Sequence, residues 1–364
     1  MGKRIAVVFG GVSNENEISI ITGTLAVNVL KNGGADVLPV YISDKGEMYA
    51  GEELGDINSF KDGSVKNFKR ATVTDGGILI LKKNGKIKEF IKTDVALNCC
   101  HGGLGEGGGV CGLFLVNNIP FAGAGMFESA AFMDKFYTKL VLSALGVSTA
   151  PYEYIRSVKE ADRAERLGYP LIVKPAKLGS SIGVKCVNDE SELYDALACA
   201  FEYDDGVILE KYYSERREIN CAVYFANGEV IVSECEEALT NNDILNYDDK
   251  YAGGGKSVLP ADIDTDTSDK IKDITKEVYK RLNMRGIVRF DYILSDSEII
   301  LSEINTVPGS LSYYLLSSGF KNFYPVLQAV ITQAECDRQS LNAKKILHTG
   351  ILNNITPSLK TGRK

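Results

Sequence analysis

Apolar and polar positions alternate along this chain in two rhythms, and the change between them divides it. Ile5-Ala6-Val7-Val8-Phe9 is a short unbroken apolar run closed by Gly10-Gly11, which predicts a buried strand and a tight turn. Ile18, Ile21, Leu25 and Val29 then fall at helical spacing until Gly33-Gly34 stops them. Val37 to Ile42 is a second strand. Strand, helix, strand predicts a parallel unit. Residues 51–92 are more polar, with a local hairpin predicted from Ile78-Leu79-Ile80-Leu81 and Ile87. Val95 to Cys100 is another buried strand, and it runs into the glycine-dense loop His101 to Gly109. Ser129 is expected to cap one helix that carries Phe132, Phe136 and Leu140 on a single face and ends at Gly146.

From Leu171 the rhythm becomes that of hairpins. Leu171–Lys174 and Val184–Val187 flank a loop, Val207–Glu210 is a strand, and Asn227-Gly228 joins Glu218–Phe225 to Glu229–Ser233. A parallel N-terminal domain thus precedes an antiparallel α+β region. The tail from about Lys344 is weakly patterned.

The 364 residues exceed one simple core, so two or three lobes are expected. A net charge of −7 argues against nucleic-acid binding, and no apolar run is long enough to span a membrane. The eight cysteines lack C-x-x-C spacing. With no signal peptide in view they read as reduced core thiols rather than disulfides or zinc ligands, which points to the cytoplasm.

Five segments could carry chemistry. The hairpin Arg289–Leu294 and Ile299–Gly309 puts Arg289 beside Asp291 and Glu303 beside Asn305, because alternate residues of a strand share a face. For Asp291 to pair with Glu303, the turn needs an odd number of residues, Asp296 to Glu298. Two carboxylates and an amide oxygen next to an arginine suit a hard divalent cation beside phosphate; the alternative is an ordinary amphipathic hairpin with solvated charges. Lys174-Pro175-Ala176-Lys177-Leu178-Gly179-Ser180-Ser181-Ile182-Gly183 suits a phosphate loop although it is not a Walker A motif, the alternative being a plain flexible turn. Glu210-Lys211-Tyr212-Tyr213, with Glu218 following, could present a strand edge to an adenine and a carboxylate to a ribose. Tyr247 to Lys256 pairs a charged and aromatic cluster with three glycines, as a lid with a hinge would or as a surface loop would. Near the N-terminus, Gly10-Gly11-Val12-Ser13-Asn14-Glu15 lacks the dinucleotide spacing. Its Glu15 either complements a helix dipole or receives a substrate ammonium.

In order along the chain, G-G-V-S-N-E at 10–15, H-G-x-x-G-E at 101–106, M-D-K at 133–135, V-K-P…G-S-S-I-G at 173–183, E-K at 210–211, D-K-Y at 249–251, R-F-D at 289–291 and E-I-N-T-V-P-G at 303–309 resemble the D-alanine–D-alanine ligases of the ATP-grasp superfamily. The resemblance implies an ATP-grasp fold: an N-terminal parallel α/β domain (1–124), then a central lobe (125–209) and a C-terminal lobe (210–334) enclosing ATP, and an extension (335–364). It also implies a reaction, in which ATP activates one D-alanine as an acyl phosphate and the amine of a second displaces phosphate, for peptidoglycan synthesis. Lys135, Lys174, Ser181 and Lys250 would then meet ATP phosphates, and Glu210, Lys211, Tyr213 and Glu218 the nucleoside. Asp291, Glu303 and Asn305 would hold two Mg2+ (or Mn2+) ions. Arg289 and the N–H of Gly309 would stabilise the tetrahedral intermediate. Glu15, through Ser180 and Tyr251, would hold the first ammonium, with His101 near that substrate. A homodimer is the family expectation.

The chain departs from the family at Gly107, Gly109 and Cys111, where Asp, Thr and Gln are usual. It departs again at Ser310–Leu315, where Tyr314 replaces a serine that helps hold a substrate carboxylate. A different second substrate, such as D-serine or D-lactate, is the alternative this leaves open. A non-catalytic nucleotide-binding protein is another, which the intact Arg289, Asp291, Glu303 and Asn305 oppose.

Overall fold

The first strand, Arg4–Gly10, sits at the centre of its sheet, paired in parallel with Asp36–Ile42 on one side and Val95–Asn98 on the other. This is a computed structural model, and it describes residues 2–239, 256–295, 298–347 and 349–354. Both faces of the first strand are buried: Ile5, Val7 and Phe9 enter one core, Ala6 and Val8 the other. A strand covered on both faces must be apolar throughout, which is why it reads as an unbroken run. The edge strand Met48–Ala50 runs antiparallel, so the sheet is mixed at that side. The predicted hairpin at 78–87 is part of a three-stranded antiparallel sheet, Ala71–Thr74, Gly77–Leu81 and Ile87–Lys92.

The first helix, Asn16–Asn32, lies against this sheet at close range. A Cβ on Gly23 would stand 2.2 Å from the Phe9 ring. The predicted face is only partly the buried one: Ile18 and Val29 are buried, but Ile21 is 44% exposed while Ser19 and Thr22 are fully buried. Polar residues hold the inner face because it contacts loops with hydrogen-bonding needs. Ser19 Oγ accepts from Gly10 N at 2.6 Å and donates to Cys99 O at 2.7 Å.

The single helix expected after Ser129 is two. Met126–Met133 and Lys135–Leu145 meet at Asp134, whose carboxylate accepts from Phe136 N at 2.9 Å and caps the second helix. Asp134 supplies the cap geometry that Ser129, buried within the first helix, does not. Leu140 is exposed; Thr138, Lys139 and Leu142 form the buried face instead, and Gly146 ends the helix in the left-handed region as expected.

The antiparallel region holds two further sheets. One has the order Lys185–Val187, Leu171–Pro175, Val207–Lys211, Tyr152–Ile155. The other centres on Arg217–Ala226 and Val288–Ser295, with Glu298–Asn305 at its edge. Its apolar face, with Ile219, Cys221, Val223, Phe290, Tyr292 and Ile304, packs on Ile271, Val278 and Tyr279 of the helix Thr265–Arg281. The C-terminal helix Tyr324–Asn342 returns to the first sheet: Val326, Leu327, Val330 and Ile331 join Ile5, Val7, Val27 and Leu30 in one core. That return ties the hairpin and the turn after it to the N-terminal sheet. Among the described residues no helix is long and apolar enough to cross a membrane.

Candidate active site

The hairpin register is the one its chemistry required. Arg289 faces Asn305 and Asp291 faces Glu303. The odd residue is supplied differently from expectation, however. Ser295 pairs with Glu298, so two residues join the strands, and the extra residue is Ser302, bulged where Asp291↔Glu303 gives way to Tyr292↔Leu301. A bulge restores the pairing that a two-residue turn would have put out of step. Arg289 donates from Nε and Nη2 to the two Asp291 oxygens at 2.7 and 2.8 Å, and Asn305 Nδ2 donates to Asp291 Oδ2 at 2.8 Å. Glu303 Oε1 lies 3.3 Å from Lys135 Nζ. Phe290 and Ile304 are buried behind them.

An open cleft enclosing about 910 Å³ adjoins this face. Lys135, Lys174, Ser181, Glu210, Lys211, Tyr213 and Glu218 all line it, together with Asp291 and Glu303. Lys174 is the last residue but one of its strand, at the base of the 176–183 loop, where Ser180 and Ser181 take left-handed φ of 54° and 58°. Behind the cleft wall, Glu210 is held by Lys174 Nζ at 2.5 Å and by Lys139. Burial alone would raise the Glu210 carboxyl, but Lys174 and Lys139 outweigh it and hold it down to about 2. The Glu210 side chain therefore holds the two lysines in place. Lys211 Nζ stands 5.0 Å from the Tyr213 ring centroid, and Arg216 Nε lies 3.4 Å from Glu218 Oε1.

A second chamber of about 590 Å³ is lined by Glu15, His101, Glu106, Arg289, Asn305 and Gly309, and shares Lys135, Leu178, Gly179, Ser180 and Glu303 with the cleft. Ser180 Oγ donates to Glu15 Oε1 across 165 residues, joining the 176–183 loop to the start of the first helix. Glu106 Oε2 accepts from Gly102 N at 2.8 Å and Oε1 from Val307 N at 3.2 Å. Burial, with Glu15 nearby, raises Glu106 to about 7. Burial, with the Arg289 charge, lowers His101 to about 4, so its ring is neutral at neutral pH. Tyr314 is half-buried, and burial raises its phenol despite the opposing charge of Arg289 beside it. Tyr251 and Lys250, and the segment read as a lid, lie outside the described residues.

The donor set fits a hard cation. Two carboxylates and an amide share one face at the junction of the two chambers, and internal cations now occupy their charge. Sequence reading missed Lys139, whose position four residues after Lys135 on one helix was the available signal. It quoted Glu106 within a motif without giving it a role.

The departures in the 101–111 loop have a packing basis. A Cβ on Gly107 would lie 2.8 Å from Gly103 O, and one on Gly109 2.9 Å from Leu104 O, so side chains there require the loop to open. Cys111 is buried beside Val110 and Phe114. None of the eight cysteines forms a disulfide among the described residues.

Comparison with known proteins agrees with this geometry. The D-ala D-ala ligase N-terminus model matches residues 4–124 and the D-ala D-ala ligase C-terminus model residues 141–323. A D-alanine–D-alanine ligase of Thermosipho melanesiensis is 37% identical over 337 residues, covering 90% of this chain and 92% of the relative. Two solved structures superpose with a TM-score of 0.76. The D-alanine–D-alanine ligase of Helicobacter pylori is 28% identical and covers 90% of this chain and 98% of its own. The VanG D-Ala:D-Ser ligase of Enterococcus faecalis is 29% identical and covers 92% and 100%. Matched in both halves and aligned over nine-tenths of its length, the chain belongs to the D-alanine–D-alanine ligase family, whose fold is ATP-grasp.

Proposed function

We propose that this enzyme uses ATP to join two D-alanines through an acyl phosphate, for peptidoglycan synthesis. The observation that carries the reading is the junction: the nucleotide-sized cleft and the small polar chamber meet at Lys135, Ser180 and Glu303. ATP lies in the cleft with its phosphates against Lys135, Lys174 and Ser181. The first D-alanine lies in the chamber with its ammonium on Glu15 and its carboxylate toward the junction. That carboxylate attacks the γ-phosphorus, ADP leaves, and an acyl phosphate forms. The amine of the second D-alanine attacks the acyl carbon. Arg289 and the Gly309 N–H receive the charge that develops on the carbonyl oxygen, and phosphate then departs. Such chemistry needs positioning and charge neutralisation more than covalent help. Asp291, Glu303 and Asn305 would hold two Mg2+ (or Mn2+) ions, which supply screening of the triphosphate charge when bound. By the family resemblance Lys250 would meet the γ-phosphate and Tyr251 would join Glu15 and Ser180; both lie outside the described residues.

A second reading, a different acceptor such as D-serine, is favoured by one observation: Tyr314 stands where the family serine does and faces Arg289. Cysteines outside any disulfide suit the cytoplasm, and a homodimer is the family expectation. The test is an ATP-dependent phosphate assay across D-amino acids and D-hydroxy acids, with the product identified by mass. D-alanyl-D-alanine as the main product is expected. A dominant D-alanyl-D-serine product would favour the second reading, and phosphate release with no ligated product would overturn both.

A further inference from the structure

The turn that carries Gly309 is gripped from outside its own lobe. Thr22 Oγ1 accepts the Ser310 N–H at 3.0 Å and lies 2.8 Å from His101 Nε2. The hydrogen bond to the Val307 backbone favours a proton on the ring, so the ring donates it through its other nitrogen, and in the neutral ring Nε2 accepts the Thr22 hydroxyl proton. The neutral His101 ring then carries its own proton on Nδ1, toward the Val307 backbone with which it is hydrogen-bonded. Thr22 is fully buried on the first helix, whose backbone is pinned to the sheet at Gly23. The same helix begins after Glu15, seven residues earlier and about 10 Å along its axis.

We propose that Thr22 is a positioning residue for the ligase reaction: through Ser310 and His101 it fixes the Gly309 turn relative to Glu15. One rigid helix would thus set the distance between the ammonium receptor and the oxyanion donor. The inference rests on the ligase reading above. It explains why a threonine, not an aliphatic residue, occupies a fully buried helix position, and it assigns His101 an anchoring task besides lining the chamber.

The test is Thr22→Val, which keeps the shape and deletes the hydroxyl, with Thr22→Ser as the conservative rescue. A turn displaced by a fraction of an ångström to about 1 Å should cost about 10- to 100-fold in kcat. The KM for ATP should stay within about twofold, because Thr22 does not line the cleft. Thr22→Ser should recover most of the kcat. Wild-type kcat in Thr22→Val overturns the proposal. So does a KM for ATP that rises in step with the loss, or an equal loss in Thr22→Ser, since either marks general disruption. Should Thr22→Val fail to fold, Thr22→Ala takes its place with the same criteria. Wild-type enzyme without D-alanyl-D-alanine product would defeat the ligase reading itself, and this proposal with it.

Discussion

The two chambers handle buried charge in opposite ways. On the cleft side, carboxylates are paired with cations: Glu210 with Lys139 and Lys174, Asp291 with Arg289, Glu303 with Lys135. Glu210 stays ionised down to about pH 2. On the chamber side, burial governs. Glu106 is raised to about 7 and His101 lowered to about 4, both toward their neutral forms. A cleft for a polyanion needs cations whose charge does not vary near neutrality. A chamber for a small zwitterion needs few fixed charges beyond those that meet its ends, and in the proposed reading Glu15 and Arg289 are those. The difference predicts that cleft variants change turnover or stability outright, whereas chamber variants change pH dependence and substrate choice.

The largest effect is expected at the junction. Glu303→Gln keeps the shape but halves the carboxylate set, and should lower kcat by about 100- to 1,000-fold with little change in melting temperature. Phosphate release at low and high Mg2+ measures it. Near wild-type turnover at low Mg2+ would remove Glu303 from the metal set.

Next is the buried lysine. Lys139→Met leaves Glu210 with one cation and should destabilise the fold by about 3–5 kcal/mol in denaturant titration. It should also alter acid stability. The depressed Glu210 pKa contributes stability that is present above pH 4.5 and lost as pH falls through about 2. With one lysine gone the folded pKa rises toward 4.5, so this loss should be smaller and complete at higher pH. Unchanged acid unfolding would break the contrast drawn between the two chambers.

Glu106 tests the other side. Its folded pKa is raised, so the folded state holds the proton up to about pH 7 while the unfolded chain releases it near 4.5. Stability from this group therefore falls as pH rises across that window, by up to about 1.4 kcal/mol per pH unit. His101 acts oppositely: its lowered pKa removes stability as pH falls from 6.5 toward about 4. Glu106→Gln should leave the His101 slope alone, seen as a steeper loss of stability on acidification between pH 6.5 and 4.5. An unaltered slope would mean that Glu106 is ionised in the fold. The smallest effect belongs to Tyr314→Phe. If its hydroxyl meets the acceptor carboxylate, the variant should raise the acceptor KM several-fold, with Tyr314→Ser tolerated. Unchanged D-alanine kinetics would remove Tyr314 from the acceptor site.

Much of this was legible in the sequence, for definite reasons. Strand alternation has a fixed period of two, so Arg289, Asp291, Glu303 and Asn305 could be put on one face before any coordinates. The bulge at Ser302 could not be read, because a bulge leaves no residue signature as clear as that of a glycine turn. Lys139 was hidden for a related cause: a charged residue on a helix reads as solvent-facing unless its buried partner, 71 positions away in Glu210, is known. Thr22 was masked by Ile21, whose place in the apolar spacing suggested a face that the helix turns outward. The amphipathic helices Thr265–Arg281 and Tyr324–Asn342 went unread, and with the second the return of the chain to its first sheet.

In the proposed reaction the first D-alanine carboxylate attacks the γ-phosphorus at the junction of the two chambers. Supplying D-alanine labelled with heavy oxygen in its carboxylate, and weighing the phosphate released during dipeptide formation, tests it directly. The account predicts one labelled oxygen transferred into phosphate per dipeptide formed. Released phosphate free of the label, with dipeptide still accumulating, would contradict it.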